Sequence, residues 1–203
     1  MKIINLGGVG GCRITDCINK LKLRNEAFPF DWNNTNQSFP INCIIKGHDA
    51  FFSFEDQYVI SSTHLISPHN NAFTCHDFNN DWQDKKQVVK EKYIRRLNRL
   101  LDLIETDEPL CFVREVIEEK GLRDHEDVFQ YAPTFKVESD SVHEWDKFMD
   151  NYFKHRKSTT KLILFTVNPK LKSYSKNIEI IFWNRKDGPE TIMKETFMRI
   201  HNE

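Results

Sequence analysis

The feature that most constrains the fold is a glycine-rich turn near the start of the chain, between a predicted strand and a predicted helix. The apolar run over 2–6 is typical of a buried strand, and four of the chain's seven glycines follow it at 7–11, in the sequence LGGVGGC. From Cys12 onward, apolar residues recur at helical spacing over 12–23. The sequence therefore predicts a tight strand–turn–helix unit with a cysteine at the start of the helix.

Further strands and helices alternate along the rest of the chain. Apolar or β-branched runs predict strands over 58–61, 72–75, 110–114, 162–167 and 178–183. Helical spacing predicts helices over 84–105, 115–120, 142–156 and 189–201, and polar stretches predict loops over 33–42 and 62–71. Ser141 and Glu144 fit a capping box at the start of the third of these helices. The alternation predicts an α/β fold, a single domain over 1–203, whose largely parallel sheet is covered by helices on both faces in three layers.

The composition narrows the class of protein. The 29 basic and 30 acidic residues nearly cancel, and the basic side of the helix over 84–105 has no interleaved aromatic residues, so the sequence argues against nucleic acid as a partner. No apolar run is long enough to span a membrane, and the N-terminus lacks the apolar region of a secretory signal. The five cysteines are odd in number and without CxxC spacing, which is typical of reduced thiols. We therefore expect a protein of the cytoplasm, or of the host cytoplasm if the source is viral, with no membrane partner.

Cys12 is the candidate nucleophile. The first turn of a helix offers backbone N–H groups and the positive end of the helix dipole, which favour a thiolate and can stabilise an oxyanion. Arg13 adds a positive charge beside it. The alternative is a small buried hydrophobic residue, which is the environment that we expect for Cys17, Cys43, Cys75 and Cys111. A nucleotide-binding turn is a further alternative, but the spacing would require a third glycine where Arg13 stands.

His76 is the candidate base for this nucleophile. It follows the predicted strand over 72–75, at the end of a strand where α/β proteins place their ligands, and Asp77 comes next. A structural histidine at the strand end is the alternative. A second pair, His48 and Asp49, falls in a predicted loop. The cysteines and histidines match no zinc-binding pattern, so the sequence predicts no metal and no cofactor.

Several motifs in the first half of the chain occur in the same order as in a known family. They are Leu6-Gly7 before Cys12, Leu23-Arg24, Pro29-Phe30-Asp31-Trp32, His76-Asp77-Phe78, Tyr93 to Arg99, and Phe112-Val113-Arg114. With these motifs the chain resembles the papain-like cysteine peptidase family named domain of unknown function 1796, which occurs in bacteria and large DNA viruses. The motif-bearing half is 1–115, and the half over 116–203 carries no motif that matches.

The resemblance implies a cysteine-dependent hydrolase or acyl transferase with Cys12 as nucleophile and His76 as base. Asp31, or else Asp77, is implied as the third member that orients the imidazole. The strand–turn–cysteine unit also resembles the opening of ester hydrolases of the flavodoxin-like kind, so papain is an analogy of function and the expected fold stays α/β. The expected partner is a peptide or other acyl substrate. Two alternatives remain: a non-catalytic module that binds a protein partner and uses the motifs to maintain its fold, and a nucleotide-binding protein that uses the glycine turn.

Overall fold

Two β-sheets and five α-helices form the part of the chain that the computed structural model describes, residues 1–8, 11–50, 58–61, 64–67, 72–75, 81–118, 137–139, 141–184 and 189–202. The strands are β1 (Lys2–Gly8), β2 (Asn33–Thr35), β3 (Tyr58–Ser61), β4 (His64–Ser67), β5 (Ala72–Cys75), β6 (Leu110–Glu115), β7 (Thr160–Thr166) and β8 (Ile178–Phe182). The helices are α1 (Gly11–Lys20), α2 (Ser38–Lys46), α3 (Trp82–Glu105), α4 (Val142–Tyr152) and α5 (Pro189–Asn202). A 3₁₀ turn over Gly47–Ala50 follows α2. No helix in these ranges is long and apolar enough to cross a membrane.

The main sheet has the order β1-β6-β7-β8, and every neighbouring pair is parallel. Side chains alternate between its two faces because successive residues of a strand point in opposite directions. Ile4, Phe112 and Leu162 face one core, which they share with α2, α3 and α4. Ile3 and Val113 face the other core, which they share with α1 and α5. The predicted α/β fold with a parallel sheet between two helical layers is therefore confirmed.

The position of β1 distinguishes this sheet from the flavodoxin-like arrangement. In the described part of the chain β1 lies at one edge of the main sheet and pairs with β6 alone. A flavodoxin-like sheet has strands on both sides of its first strand. The chain is therefore similar to that class in its first strand, turn and helix, but not in the order of the strands in its main sheet.

The second sheet is antiparallel and has the order β2-β5-β4-β3. Two predictions were wrong here, because β4 and β2 lie in the stretches 62–71 and 33–42, which were predicted as loops. The strand β2 reads Asn33-Asn34-Thr35 and has no apolar signal, yet Asn33 and Thr35 are buried. Their polar side chains are compensated by hydrogen bonds to distant residues, which a local pattern cannot indicate.

Three local predictions for helices also need correction. The helix α2 begins at Ser38, inside the predicted loop, where the Asn36 side chain accepts a hydrogen bond from the Phe39 N–H at 3.1 Å. The helix α4 begins after Ser141 as predicted, but the Ser141 hydroxyl donates to Gln37 Oε1 at 2.7 Å instead of closing a capping box. Residues 116–118 are not helical, and Glu115 is the last residue of β6. The remainder of the predicted helix over 115–120 lies outside the described residues.

The helix α3 and the carboxyl-terminal elements match their predictions closely. The apolar stripe of α3 is buried at Val89, Tyr93, Leu97 and Leu100, which confirms the predicted core face of this helix. The strands β7 and β8 and the helix α5 lie within a few residues of their predicted bounds, with Pro189 at the start of α5. For β7 a continuous apolar run was sufficient, because this strand is buried on both faces of the main sheet.

Gly7 and Gly8 close β1 in a backbone conformation that other residues rarely adopt, with φ angles of +77° and +94°. A Cβ atom added to Gly7 would meet Thr35 Oγ1 at 2.5 Å, and one added to Gly8 would meet the Glu115 carbonyl oxygen at 2.2 Å. The end of β1 therefore packs directly against β2 and β6, in space that a side chain would need.

Replacing Gly8 with alanine is expected to lower the free energy of unfolding by about 3 kcal/mol or more, because backbone strain and the clash with the Glu115 carbonyl add together. Gly47→Ala is the matched control. Its φ is also positive, at +62°, but an added Cβ would be 3.6 Å from its nearest neighbour, Leu101 Cδ1. Urea denaturation of both variants measures the difference. A Gly8→Ala protein that is as stable as Gly47→Ala contradicts this packing.

Candidate active site

Cys12 lies in the first turn of α1, at the edge of the main sheet where the parallel strands end. Its side chain is partly exposed, and Sγ is 3.7 Å from the backbone carbonyl oxygen of Trp32, to which the thiol donates. Asn5 on β1 ties the turn to the helix, because it accepts a hydrogen bond from the Gly7 N–H and donates one to Thr15 Oγ1, both at 2.9 Å. The predicted placement of a cysteine at the start of a helix is thus confirmed.

The turn that carries Trp32 is held by a buried ion pair. The Arg24 guanidinium lies 2.5 Å from Asp31 Oδ1, and the two side chains are 2% and 1% exposed. The Phe28 N–H donates to Asp31 Oδ2 at 2.7 Å, and Thr15 Oγ1 donates to Asp31 Oδ1 at 3.3 Å. Two of the sequence motifs, Leu23-Arg24 and the motif ending in Asp31-Trp32, therefore form one structural unit beside Cys12.

The helix α3 supports the same turn from the other side. Tyr93 donates its hydroxyl proton to Asn33 Oδ1 at 3.1 Å, and the Asn33 amide donates to the Pro29 carbonyl at 2.9 Å. Arg99 reaches the Ala27 carbonyl at 2.6 Å. The first and last residues of the motif that runs from Tyr93 to Arg99 therefore both contact this turn.

Arg114, the last residue of another motif, uses all five of its N–H groups inside the protein. Its side chain is 0% exposed, and Nε donates to Glu138 Oε2 at 3.0 Å while Nη2 also contacts Glu138 Oε1. Nη1 donates to the Leu6 carbonyl at 2.8 Å and to Thr35 Oγ1 at 3.0 Å, and Nη2 donates to the Thr35 carbonyl at 2.7 Å. Arg114 therefore joins the end of β1 to β2 and to the segment that carries Glu138. Sequence reasoning missed Glu138, which lies 24 residues away without a local signal.

The positive charge of Arg13 is directed to a carboxylate and not to the Cys12 thiol. Arg13 Nη2 lies 2.5 Å from Oε1 of Glu115, which is 7% exposed at the end of β6, and the guanidinium lies 5.8 Å from the centre of the Trp183 ring. The expectation that Arg13 supports a thiolate is therefore weakened, since Glu115 neutralises its charge. Glu115 is a polar residue of this sheet edge that sequence reasoning missed.

The prediction of His76 as the base assumed that the strand before it ends at the ligand-binding edge of a parallel sheet. This assumption was wrong, because β5 belongs to the antiparallel sheet. Thr74 of β5 pairs with Asn33 of β2, so β5 runs toward the Trp32 turn and ends at Cys75, one residue before His76. His76 and Asp77 lie outside the described residues, and their roles stay predictions.

Cys17, Cys43 and Cys111 are buried, and none of the three forms a disulfide. The side chain of Cys75 lies outside the described part of the structure. Burial raises the pKa of the Cys17 thiol, and Glu190 and Asp16 raise it further. Burial alone raises the pKa of the Cys43 thiol well above its usual range. These thiols are poor nucleophiles at neutral pH, which agrees with the structural role predicted for them. In the described ranges no group of histidine, cysteine and acidic residues could hold a metal ion.

The glycine turn offers little space for a pyrophosphate at the two glycines that the structure describes. A phosphate-binding turn requires its glycine backbone to face a ligand. At Gly7 and Gly8 the adjacent space is filled by Thr35 and by the Glu115 carbonyl. This packing argues against a nucleotide at the glycine turn.

The fold and the site together define an α/β protein that presents a cysteine at the start of a helix, at the edge of a parallel sheet. The chain belongs to the family described as "Putative papain-like cysteine peptidase (DUF1796)", which matches residues 1–143. The match extends past the motif-bearing half and includes Glu138, the partner of Arg114.

A viral protein is also similar to this chain. "Uncharacterized protein R408" of Acanthamoeba polyphaga mimivirus is 26% identical over 195 residues, which cover 84% of this chain and 79% of the viral protein. No solved structure matches the chain.

Replacing Arg114 with methionine is expected to lower the free energy of unfolding by about 3–5 kcal/mol, because the Glu138 carboxylate stays buried without its cation. The double variant Arg114→Met/Glu138→Gln removes both charges, so we expect it to be more stable than the single variant. Arg199→Met breaks an exposed pair with Glu179 and is the control, with an expected loss below about 1 kcal/mol. Denaturant unfolding measures all three. Equal losses for Arg114→Met and Arg199→Met contradict the role of Arg114.

Proposed function

We propose that the chain is a cysteine-dependent hydrolase or acyl transferase in which Cys12 is the nucleophile and His76 is the base. The observation that carries the proposal is the placement of Cys12 in the first turn of α1, partly exposed, at the end of a tightly packed glycine turn. Membership of a family described as papain-like cysteine peptidases supports the same chemistry. The substrate is then a peptide or another acyl compound.

The topology supports the choice of His76 as the base. The thiol of Cys12 contacts the carbonyl of Trp32, and Trp32 directly precedes Asn33, which pairs with Thr74. The strand β5 runs toward this turn and ends at Cys75, and His76 is the next residue in the sequence. A base must come within hydrogen-bond reach of the nucleophile. The direction of β5, toward the turn that contacts Cys12, supports the choice of His76.

The proposed reaction follows the usual order of thiol acyl transfer. His76 accepts the Cys12 proton, and the sulfur forms a bond to the substrate carbonyl carbon while backbone N–H groups of the first turn of α1 stabilise the oxyanion. The imidazolium returns its proton to the leaving group as the acyl bond breaks. Water, or an acceptor in a transferase, then attacks the thioester, and the thiol is regenerated.

Asp31 is proposed as the residue that orients His76, with Asp77 as the alternative. Three donors, from Arg24, Thr15 and Phe28, occupy three of the roughly four acceptor positions of the Asp31 carboxylate. The remaining position on Oδ2 suits an imidazole N–H. Asp31 also fixes the Trp32 carbonyl against the thiol, so it has a positioning role in either case.

The rate of Cys12 alkylation by iodoacetamide is expected to depend weakly on pH. An ordinary thiol has a pKa near 8.5 and reacts almost a hundredfold more slowly at about pH 6 than at about pH 8. A thiol that transfers its proton to His76 should lose less than about tenfold over this range. Mass spectrometry of the labelled peptides gives the rates for Cys12 and, as internal references, for Cys17 and Cys111.

The matched control for this experiment is a second histidine. His76→Asn should restore the ordinary pH dependence, whereas His48→Asn, at an exposed site bonded to Asn98, should not. If Cys12 labels no faster than Cys17 at neutral pH, the proposed nucleophile is wrong.

Activity measurements separate the two candidate carboxylates. Asp31→Asn keeps the size of the side chain but removes the charge opposite Arg24, so we expect lower stability and lower kcat together. Asp77→Asn should leave kcat nearly unchanged if Asp31 orients His76. A large loss of kcat in Asp77→Asn alone assigns the orienting role to Asp77.

A second candidate function is a non-catalytic module that binds a protein partner. The observation in its favour is that Arg24, Asp31, Tyr93 and Arg114 all serve the fold, so the family motifs need not mark catalysis. Cys12→Ser distinguishes the two functions. It should abolish acyl-enzyme formation with an activated ester in a hydrolase, and it should leave partner binding unchanged in a module.

A further inference from the structure

A basic cavity lies at the opposite edge of the main sheet from Cys12. It has a volume of about 650 Å³ and is bounded by the end of α4, the start of β7 and the segment before β8. Because the strands of this sheet are parallel, their starts and their ends form opposite edges, so the cavity is separate from the candidate active site. The volume lies within the range of small-molecule binding sites.

The charge of the cavity wall is positive, although the whole chain is nearly neutral. Lys154, Lys157 and Lys176 line it, and within the described ranges none of them forms an ion pair. The carboxylate in the wall, Asp150, accepts hydrogen bonds from Ser175 Oγ at 2.5 Å and from the Asn177 amide at 3.4 Å. Three lysines are thus available to an anion.

An aromatic ring stands at the rim of the cavity. Tyr174 is 90% exposed, yet the backbone on either side of it is fixed. The Ser175 N–H donates to Asp146 Oδ1 at 3.3 Å, and the Ser173 hydroxyl contacts the same carboxylate oxygen. The ring is therefore presented to solvent at a low cost in backbone entropy, as a stacking surface for a planar group.

We propose that this cavity binds a nucleotide, free or as a unit of a single-stranded nucleic acid, with its phosphate on Lys154, Lys157 and Lys176 and its base stacked on Tyr174. A positive groove beside an exposed aromatic ring is the combination that single-stranded nucleic acids require. The expectation against nucleic acid rested on the net charge and on the helix over 84–105, and this cavity belongs to neither. An acidic peptide would use the lysines but not the ring.

Fluorescence anisotropy of labelled oligo(dT) with the full chain tests the proposal. Tyr174→Ala should weaken binding about tenfold through lost stacking. The triple variant Lys154→Ala/Lys157→Ala/Lys176→Ala should weaken it further and reduce the slope of log K against log salt by about 0.7, because the three lysines hold one phosphate.

Matched controls lie outside the cavity. Lys46→Ala/Lys147→Ala/Lys194→Ala removes three exposed lysines, and Met198→Ala removes an exposed apolar side chain, so neither should change binding. Competition with thymidine monophosphate distinguishes the two sources of the ligand. If the mononucleotide binds as tightly as the oligonucleotide, the ligand is a free nucleotide. If it binds more weakly, the ligand is a single strand. If the oligonucleotide does not bind to the chain, the proposal is wrong. Equal binding of a polyglutamate peptide, or binding unchanged in both the lysine and Tyr174 variants, overturns it as well.

Discussion

The buried ion pair between Arg114 and Glu138 is the interaction on which the rest of the structure depends. A guanidinium that is wholly removed from water must find a partner for each N–H, or the chain carries a large desolvation cost. Arg114 finds them on β1, on β2 and on the segment of Glu138, so burial of this one side chain requires all three to be in place. Leu6, whose carbonyl it binds, precedes the glycine turn that leads to Cys12. The geometry of the candidate nucleophile is thus coupled to a residue that performs no chemistry.

A similar logic explains why the family motifs cluster in space. The pairs Arg24–Asp31 and Tyr93–Asn33 each bring one motif against the turn that carries Trp32. Each is a charged or polar contact out of water, where directional bonds are strong and substitutions are costly. These motif residues therefore hold the turn that contacts the Cys12 thiol in place. Chemistry requires few residues, whereas holding them in place requires many.

The sequence predicted those parts of the fold that are encoded by local patterns. The buried strands β6 and β7 and the partly buried strand β8 were evident from their apolar runs, and α3 from its amphipathic stripe. The strand β2 is polar throughout and is stabilised by Tyr93 and Arg114, which lie 60 and 79 residues away. No local window contains that information. For the site, Cys12 was evident from its position at the start of a helix, but Glu115 and Glu138 were not, because their roles arise only from long-range pairs.

The strand order has a consequence for how the chain reaches its native state. Leu6 and Arg114 are 108 residues apart, and β1 pairs with β6 alone in the described part of the main sheet. Such non-local pairing is slow, since the loop between the strands must close before the contacts form. On the ribosome, β1 stays unpaired until β6 has emerged, and Arg114 lacks its carboxylate partner until Glu138 has emerged. The surroundings of the Cys12 thiol are therefore completed late in synthesis, when most of the chain is already present.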